Sequence, residues 1–321
     1  MELPRPLRVR IDEALRSVSA SDLRRASDTL SRRYRAEVRD GRAHLSDDLF
    51  AQGYLAARMP ATYAALRASL AAVEEAWPDF APRTLLDVGA GPGTALWAAA
   101  DSYPDLEGAT LLEASDPIRR AGERLAEGGF RFQPDWRAGD LRRDLASLPA
   151  ADLVTLGYVL DEIEPGAIAP LADALWARTM GLLLVVEPGT PAGWRRVLQV
   201  RDRLLSQGAH LAAPCPHESA CPVRAPDWCH FARRVARSRV HLATKGAEVP
   251  WEDEKFAFAA LAREAVPARP AARVLAPPRA GSGKVQLKLC RDDGTLANEL
   301  VTRRDGERFA RARRLDWGDS L

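Results

Sequence analysis

The chain has 321 residues, 46% of them hydrophobic, and a formal net charge of +2, so it is long enough to bury a sizeable core. No apolar run approaches the ~18 to 20 residues that span a bilayer, the longest obvious one being Phe256 to Ala262, which excludes a helical membrane protein. The start, Met1-Glu2-Leu3-Pro4-Arg5, lacks the apolar stretch of a secretory signal, so a cytoplasmic protein is expected.

In chain order, residues 1–80 read as a helical N-terminal region. Ile11 to Leu15 and Leu23 to Tyr34 are Arg-rich amphipathic pieces, and a third helix runs from about Pro60 to Trp77. Pro60 ends one helix or begins the next, and the aromatics around it read as core. From Thr84, short apolar runs alternate with helical patterns, the signature of βαβ units and a parallel sheet; this core is assigned to residues 81–192.

Its first strand ends in Leu85-Leu86-Asp87-Val88-Gly89-Ala90-Gly91-Pro92-Gly93-Thr94. Three glycines in five positions allow positive φ and close backbone approach to a ligand. The spacing is G-x-G-x-G rather than the dinucleotide G-x-G-x-x-G, and it resembles motif I of S-adenosylmethionine (SAM) methyltransferases. Glu113 ends the second strand candidate, Thr110 to Ser115, at about the 20-residue interval expected of a ribose-binding acid. Asp140 stands where that superfamily commonly meets the adenine amino group, although an acid in such a turn is also a routine helix cap. Asp87, Gly89, Gly91, Gly93, Glu113 and Asp140 are therefore the candidate cofactor residues. The expected fold is α/β, a Rossmann-like SAM-dependent methyltransferase fold.

Two further strand candidates, Asp152 to Tyr158 and Leu182 to Gly189, place Gly157, Tyr158, Glu187 and Pro188 beyond strand ends, near any substrate. No catalytic residue is assigned. Gly157-Tyr158-Val159-Leu160 replaces the Asn/Asp-Pro-Pro-aromatic motif of amino-directed nucleic-acid methyltransferases, and that region has no cysteine nucleophile. Positioning would have to carry any methyl transfer, because SAM already holds an activated methyl group.

Residues 193–321 are read as an Arg-rich, metal-cluster-binding segment with C-terminal strands completing or flanking the core. From Arg195 to Lys245 ten basic residues face three acids, a local charge of about +7 that suits nucleic acid or, more blandly, a solvated face. All four cysteines lie here: Cys215, Cys221, Cys229 and Cys290. A reducing compartment disfavours disulfides, and four cysteines so placed point to a metal site rather than to inert thiols, the alternative reading. Gaps of five and seven residues do not match the short pairs of zinc sites, and an iron-sulfur cluster tolerates varied spacing, so spacing leaves both open. The C-x3-C-x2-C pattern of radical-SAM proteins is absent. His217 and His230 read as hydrogen-bonded or phosphate-facing side chains.

Pro214-Cys215-Pro216-His217, Cys221-Pro222 and Asp227-Trp228-Cys229-His230-Phe231, followed by Arg233, Arg234 and Val235, resemble the signature of the small-ribosomal-subunit methyltransferase-like family, which has mitochondrial and bacterial members. The resemblance extends from Arg58-Met59-Pro60-Ala61-Thr62 through the glycine loop to Trp317-Gly318-Asp319. It implies that the four cysteines hold a [4Fe-4S] cluster. It also implies a protein that acts on small-subunit rRNA and ribosomal assembly intermediates as an assembly factor and candidate rRNA methyltransferase; the free protein is expected to be monomeric. The competing expectation is a small-molecule SAM-dependent methyltransferase with a structural zinc site.

Toward the end, Val285 to Cys290 and Glu299 to Thr302 read as strands joined through Asp292-Asp293-Gly294-Thr295, followed by arginines from Arg303 to Arg314. Gly281-Ser282-Gly283-Lys284 lacks the spacing of a P-loop and reads as a loop whose lysine can meet phosphate.

Overall fold

The computed structural model describes residues 1–35 and 47–321. Four helices precede the first strand: α1 (Arg5–Leu15), α2 (Ala20–Arg35), α3 (Asp48–Ala57) and α4 (Met59–Ala76). Asp47 caps α3 by accepting from the Phe50 amide at 2.9 Å. Pro60 falls in the first turn of α4, where its missing N–H costs nothing. Alanine-rich and apolar on almost every side, α4 is buried along most of its length, its Met59, Tyr63, Leu66, Leu70 and Val73 packing into the main core. Among the described residues no helix is long and apolar enough to cross a membrane.

The central unit runs β1 (Thr84–Val88), α5 (Thr94–Ser102), β2 (Gly108–Glu113), α6 (Asp116–Ala126), β3 (Asp135–Ala138), α7 (Leu141–Asp144), β4 (Ala151–Gly157), α8 (Ile168–Arg178), β5 (Thr179–Pro188) and α9 (Pro191–Leu205). It continues through β6 (His210–Ala213), β7 (Phe231–Ala236), α10 (Arg239–Lys245) and β8 (Trp251–Ala262). The sheet order is β3-β2-β1-β4-β5-β8-β6, with β7 also paired to β8. The β1–β2, β1–β4, β2–β3 and β4–β5 pairs are parallel, whereas β8 is antiparallel to β5, β6 and β7. This is the expected Rossmann-like α/β architecture, closed by an antiparallel strand. Leu182 to Val186 of β5 are fully buried, as a strand covered on both faces requires.

The apolar run Phe256 to Ala262 is half of β8, a strand that periodicity did not distinguish from other buried segments. Its register organises the cysteine segment. Ala213, at the end of β6, pairs with Ala260, and Phe231, at the start of β7, pairs with Phe256. The loop carrying Cys215, Cys221 and Cys229 is thus pinned at both ends to one strand.

A second sheet follows, made of β9 (Ala272–Val274), β10 (Arg279–Gly281), β11 (Lys284–Arg291) and β12 (Leu296–Thr302), and a short helix, α11 (Glu307–Ala312), comes last. Strand β11 is central, antiparallel to β10, β12 and β9. Val274, Val285, Leu287, Leu289, Val301 and Ala312 form its own small core. Gly281 and Lys284 form part of a β10–β11 hairpin rather than a plain loop.

Candidate functional site: a strand-end cavity and a cysteine-lined cavity

Parallel strand order reverses between β1 and β4, which opens a crevice at their carboxyl ends. A cavity of about 210 Å3 lies there, bordered by Gly89, Gly91, Glu113, Asp140, Gly157 and Tyr158 among others. Gly89, Gly91 and Gly93 all have positive φ, at 70°, 55° and 77°. A Cβ on Gly89 would lie 2.6 Å from Val159 Cγ2, so both the backbone and the space demand glycine. Gly91 has nothing within 4 Å of that position and stands open to the cavity.

The predicted acids take three different roles. The Glu113 carboxylate accepts from the Gly91 amide at 2.8 Å and the Ser115 amide at 2.7 Å, which ties the glycine loop to the end of β2. Burial raises its pKa, with those amides opposing. Asp87 stands behind the loop, 2% exposed, accepting from the Thr155 hydroxyl at 2.7 Å. Burial pushes its carboxyl up to about 7, Thr155 opposes, and repulsion from Glu113 adds to the rise. Asp140 borders the cavity but caps α7 through the Arg142 amide, and its carboxylate also binds the Arg142 guanidinium at 2.6 Å. That ion pair, foremost, holds it down at about 2. Gly93 also lies back from the cavity wall, capping α5 against Trp136.

The opposite wall joins Tyr158, expected near a substrate, to residues that sequence reasoning had not assigned to the site. Tyr54 was read as core, yet it borders the cavity with Arg58, Thr62, Tyr158 and Asp161. Tyr158 is the one described non-glycine residue with positive φ, 61°, a costly conformation for an aromatic residue. Its hydroxyl donates to Glu254 Oε1 at 2.8 Å, and Arg58 approaches the same oxygen at 3.5 Å. Glu187, fully buried, accepts from the Leu160 amide at 2.9 Å and from Arg196 Nε at 3.0 Å. Burial pushes its carboxyl up to about 8, repulsion from Asp161 adds to this, and Arg196 opposes it.

The four cysteines surround a second, apolar cavity beneath β8 and α9. All four are free thiols, and Cys290 Sγ lies 3.3 Å from His217 Nε2. His217 is therefore buried against a thiol rather than phosphate-facing. His230 stacks on Trp228 at 5.0 Å. Burial raises the Cys229 pKa first, and the nearby Cys215, Cys221 and Cys290 add to the rise. Among the described residues no three His, Cys, Asp or Glu side chains are arranged to hold a metal ion. The expected metal site is thus present only as four thiols around one cavity.

Two buried guanidiniums flank them, Arg201 from the basic run and Arg273, neither of which the sequence reading placed beside the cysteines. Arg201, 2% exposed, donates to the Ser219 carbonyl at 2.6 Å. Arg273, 4% exposed and directly across the strand pair from Cys290, donates to the Pro214 carbonyl at 2.9 Å. Both bonds hold the ends of peptide segments that carry Cys215 and Cys221.

The basic run from Arg195 to Lys245 is largely consumed inside the fold. Arg196 pairs with Glu187, Arg201 with Asp202, Arg203 with Asp173, Arg234 with Asp253, and Arg237 and Lys245 with Glu252. The local surplus of charge read from the sequence is therefore not a continuous positive surface.

The family model described as mitochondrial small ribosomal subunit Rsm22 matches residues 49–321. The chain belongs to the Rsm22 family. The human ribosome assembly protein METTL17, mitochondrial, is 28% identical over 84% of this chain and 61% of its own length. The fission-yeast (Schizosaccharomyces pombe) Rsm22-cox11 tandem protein 2, mitochondrial, is 20% identical over 83% of this chain and 42% of its own. The chain thus spans about two fifths to three fifths of these Rsm22-type relatives. Among solved structures, magnesium protoporphyrin IX methyltransferase from Synechocystis with bound SAM is 13% identical, covering 77% of this chain and 100% of its own, at a TM-score of 0.40. The cytoplasmic expectation is overturned: the family description and both relatives are mitochondrial by name.

Proposed function

We propose that the chain binds SAM in the strand-end cavity and serves in assembly of the small ribosomal subunit, at the mitochondrial location its relatives' names carry, with Cys215, Cys221, Cys229 and Cys290 holding an iron-sulfur cluster. The observation that carries this is the glycine-walled cavity at the ends of β1, β2 and β4 in a chain matched over residues 49–321 by a small-ribosomal-subunit family.

The cavity suits the cofactor on its own terms. Gly91 leaves open space where a side chain would stand, and Glu113 and Asp140 bring carboxylates to the same rim. In this reading Glu113 exchanges its hold on the loop for ribose hydroxyls, while Asp87 stays behind the loop as its support. SAM would supply an activated methyl group. Tyr54, Arg58 and Tyr158 bound the side left for an acceptor. The buried Glu187 positions the Leu160 turn rather than touching an acceptor, so the reading assigns the cavity to SAM binding and names no catalytic residue.

The donor set of the second cavity also suits its group. The four thiols line one cavity, a donor set that a [4Fe-4S] cluster takes, and Arg201 and Arg273 beside them would offset the negative charge of four thiolates.

Calorimetric titration with SAM, together with iron and sulfide analysis after anaerobic purification, tests both parts. SAM binding in the micromolar range and an iron-to-sulfide ratio near one are expected, with the iron, the sulfide and the cluster's visible absorbance lost in Cys221→Ser. Stoichiometric zinc without sulfide would replace the cluster, and SAM-independent titrations would remove the cofactor reading.

A further inference from the structure

We propose that the outer face of the second sheet, around Arg279, Lys284, Gln286 and Leu300, is the surface on which this protein docks RNA through its phosphates. The inference rests on the ribosomal reading above and names the place where it is carried out.

Strand register defines the face. On β11, Lys284, Gln286, Lys288 and Cys290 share one side, opposite the core-facing Val285, Leu287 and Leu289. Across the pairs, Thr302 opposes Lys284, Leu300 opposes Gln286, Asn298 opposes Lys288, and Arg279 of β10 also opposes Gln286. The two ends of this face differ. At one end Cys290 turns into the cysteine cavity and Lys288 is ion-paired with Asp227 of the cysteine loop, so the loop covers it. At the other end Arg279, Lys284 and Gln286 are exposed and Leu300 is 60% exposed.

Charge decides the occupant. The sole acid of β10, β11 and β12, Glu299, lies on the opposite side, where Arg291 and Arg308 take it. Arg303 packs its side chain against Gly283 of the β10–β11 turn, bringing a third cation to the rim. Among the described residues, none of Arg279, Lys284 and Arg303 has a carboxylate partner, in contrast to the paired arginines between Arg195 and Lys245. The strands themselves put cations, amides and two exposed leucines, Leu296 and Leu300, but no acid on this face. Asp305 reaches its rim only by accepting from the Thr302 amide and hydroxyl, and the unpaired cations around it fit a polyanion. The face also lacks aromatic residues, so base stacking is not its mode; phosphate contacts lead and sequence preference is weak.

The test is fluorescence anisotropy of the full chain with a labelled uridine oligomer of about 20 nucleotides across a salt series. With three cations engaged, log affinity should fall against log salt with a slope of about −2 for single-stranded RNA. The double variant Arg279→Glu, Lys284→Glu should bind roughly tenfold more weakly and lose about 1.4 of that slope. A second double variant, Arg195→Glu, Arg233→Glu, should bind within about twofold of wild type, and thermal melts of both should match it, since all four positions lie at or near the surface. If the second variant loses affinity and the first does not, RNA docks elsewhere and the inference fails while the ribosomal reading stands. If wild type binds no RNA but retains an acidic protein through Arg279 and Lys284, the face is a protein interface and the inference fails, while cosedimentation with small ribosomal subunits decides the ribosomal reading separately.

Discussion

The Trp228 indole N–H donates to the Gly189 carbonyl at 2.9 Å. One residue on from Trp228 is Cys229, and one residue back from Gly189 is Pro188, part of the wall of the strand-end cavity. This bond fastens the cysteine loop to the end of β5 and joins the two cavities mechanically. Trp228→Phe keeps the stacking on His230 and removes only the donor, which costs about 1 kcal/mol at a half-buried carbonyl. The expected outcome is a several-fold weaker SAM affinity with iron content preserved, measured by calorimetry and metal analysis; unchanged affinity would show that the cavities are independent.

Arg273 should position the cysteine segment. Arg273→Met leaves the Pro214 and Gly318 carbonyls without their donor, at a cost of about 2 to 4 kcal/mol. Iron and sulfide content should fall and the thiols of the metal-free protein should alkylate faster. Arg273→Lys, which keeps the charge but not the planar fork, should restore part of the cluster content and little of the stability.

Gly89→Ala should destabilise the fold and abolish SAM binding together. The penalty of φ 70°, of order 1 to 3 kcal/mol, adds to the 2.6 Å approach to Val159. Adding Val159→Ala relieves the contact but not the backbone, so the double variant should regain some melting temperature and no more than a fraction of the affinity.

The raised pKa of Asp87 gives a pH prediction whose sign follows from proton binding. With a folded pKa of about 7 and an unfolded value near 3.9, the folded state holds more protons between those values, so stability falls as pH rises through that window. Asp87→Asn, which has no proton to lose, should remove that slope. Relative to wild type it should gain about 1 to 3 kcal/mol between pH 4 and pH 7 in urea titrations. A constant difference across that range would place the charge elsewhere.

Much of the architecture was legible because it is encoded locally. The glycine loop, the strand-end acid Glu113, the apolar runs that became β4 and β5, and the helix that became α4 all announce themselves within short windows, since a positive φ, a buried strand and a helical face are local requirements. Asp140 was legible as an acid in a turn, but its choice of Arg142 over an open rim was not.

Tertiary structure decided what depends on partners distant in sequence. The arginines between Arg195 and Lys245 counted as a positive segment until Glu187, Asp173, Glu252 and Asp253 came to meet several of them. Arg273 became a neighbour of Cys290 only through the β9–β11 register, and Arg58 met Glu254 only across the folded core. By itself the sequence determined the kind of fold, the glycine loop and the presence of four cysteines. Pairing across the chain decided which charges are spent internally and which remain to meet a partner, because a charge is neutralised by whatever lies within a few ångströms of it, and sequence order does not measure that distance.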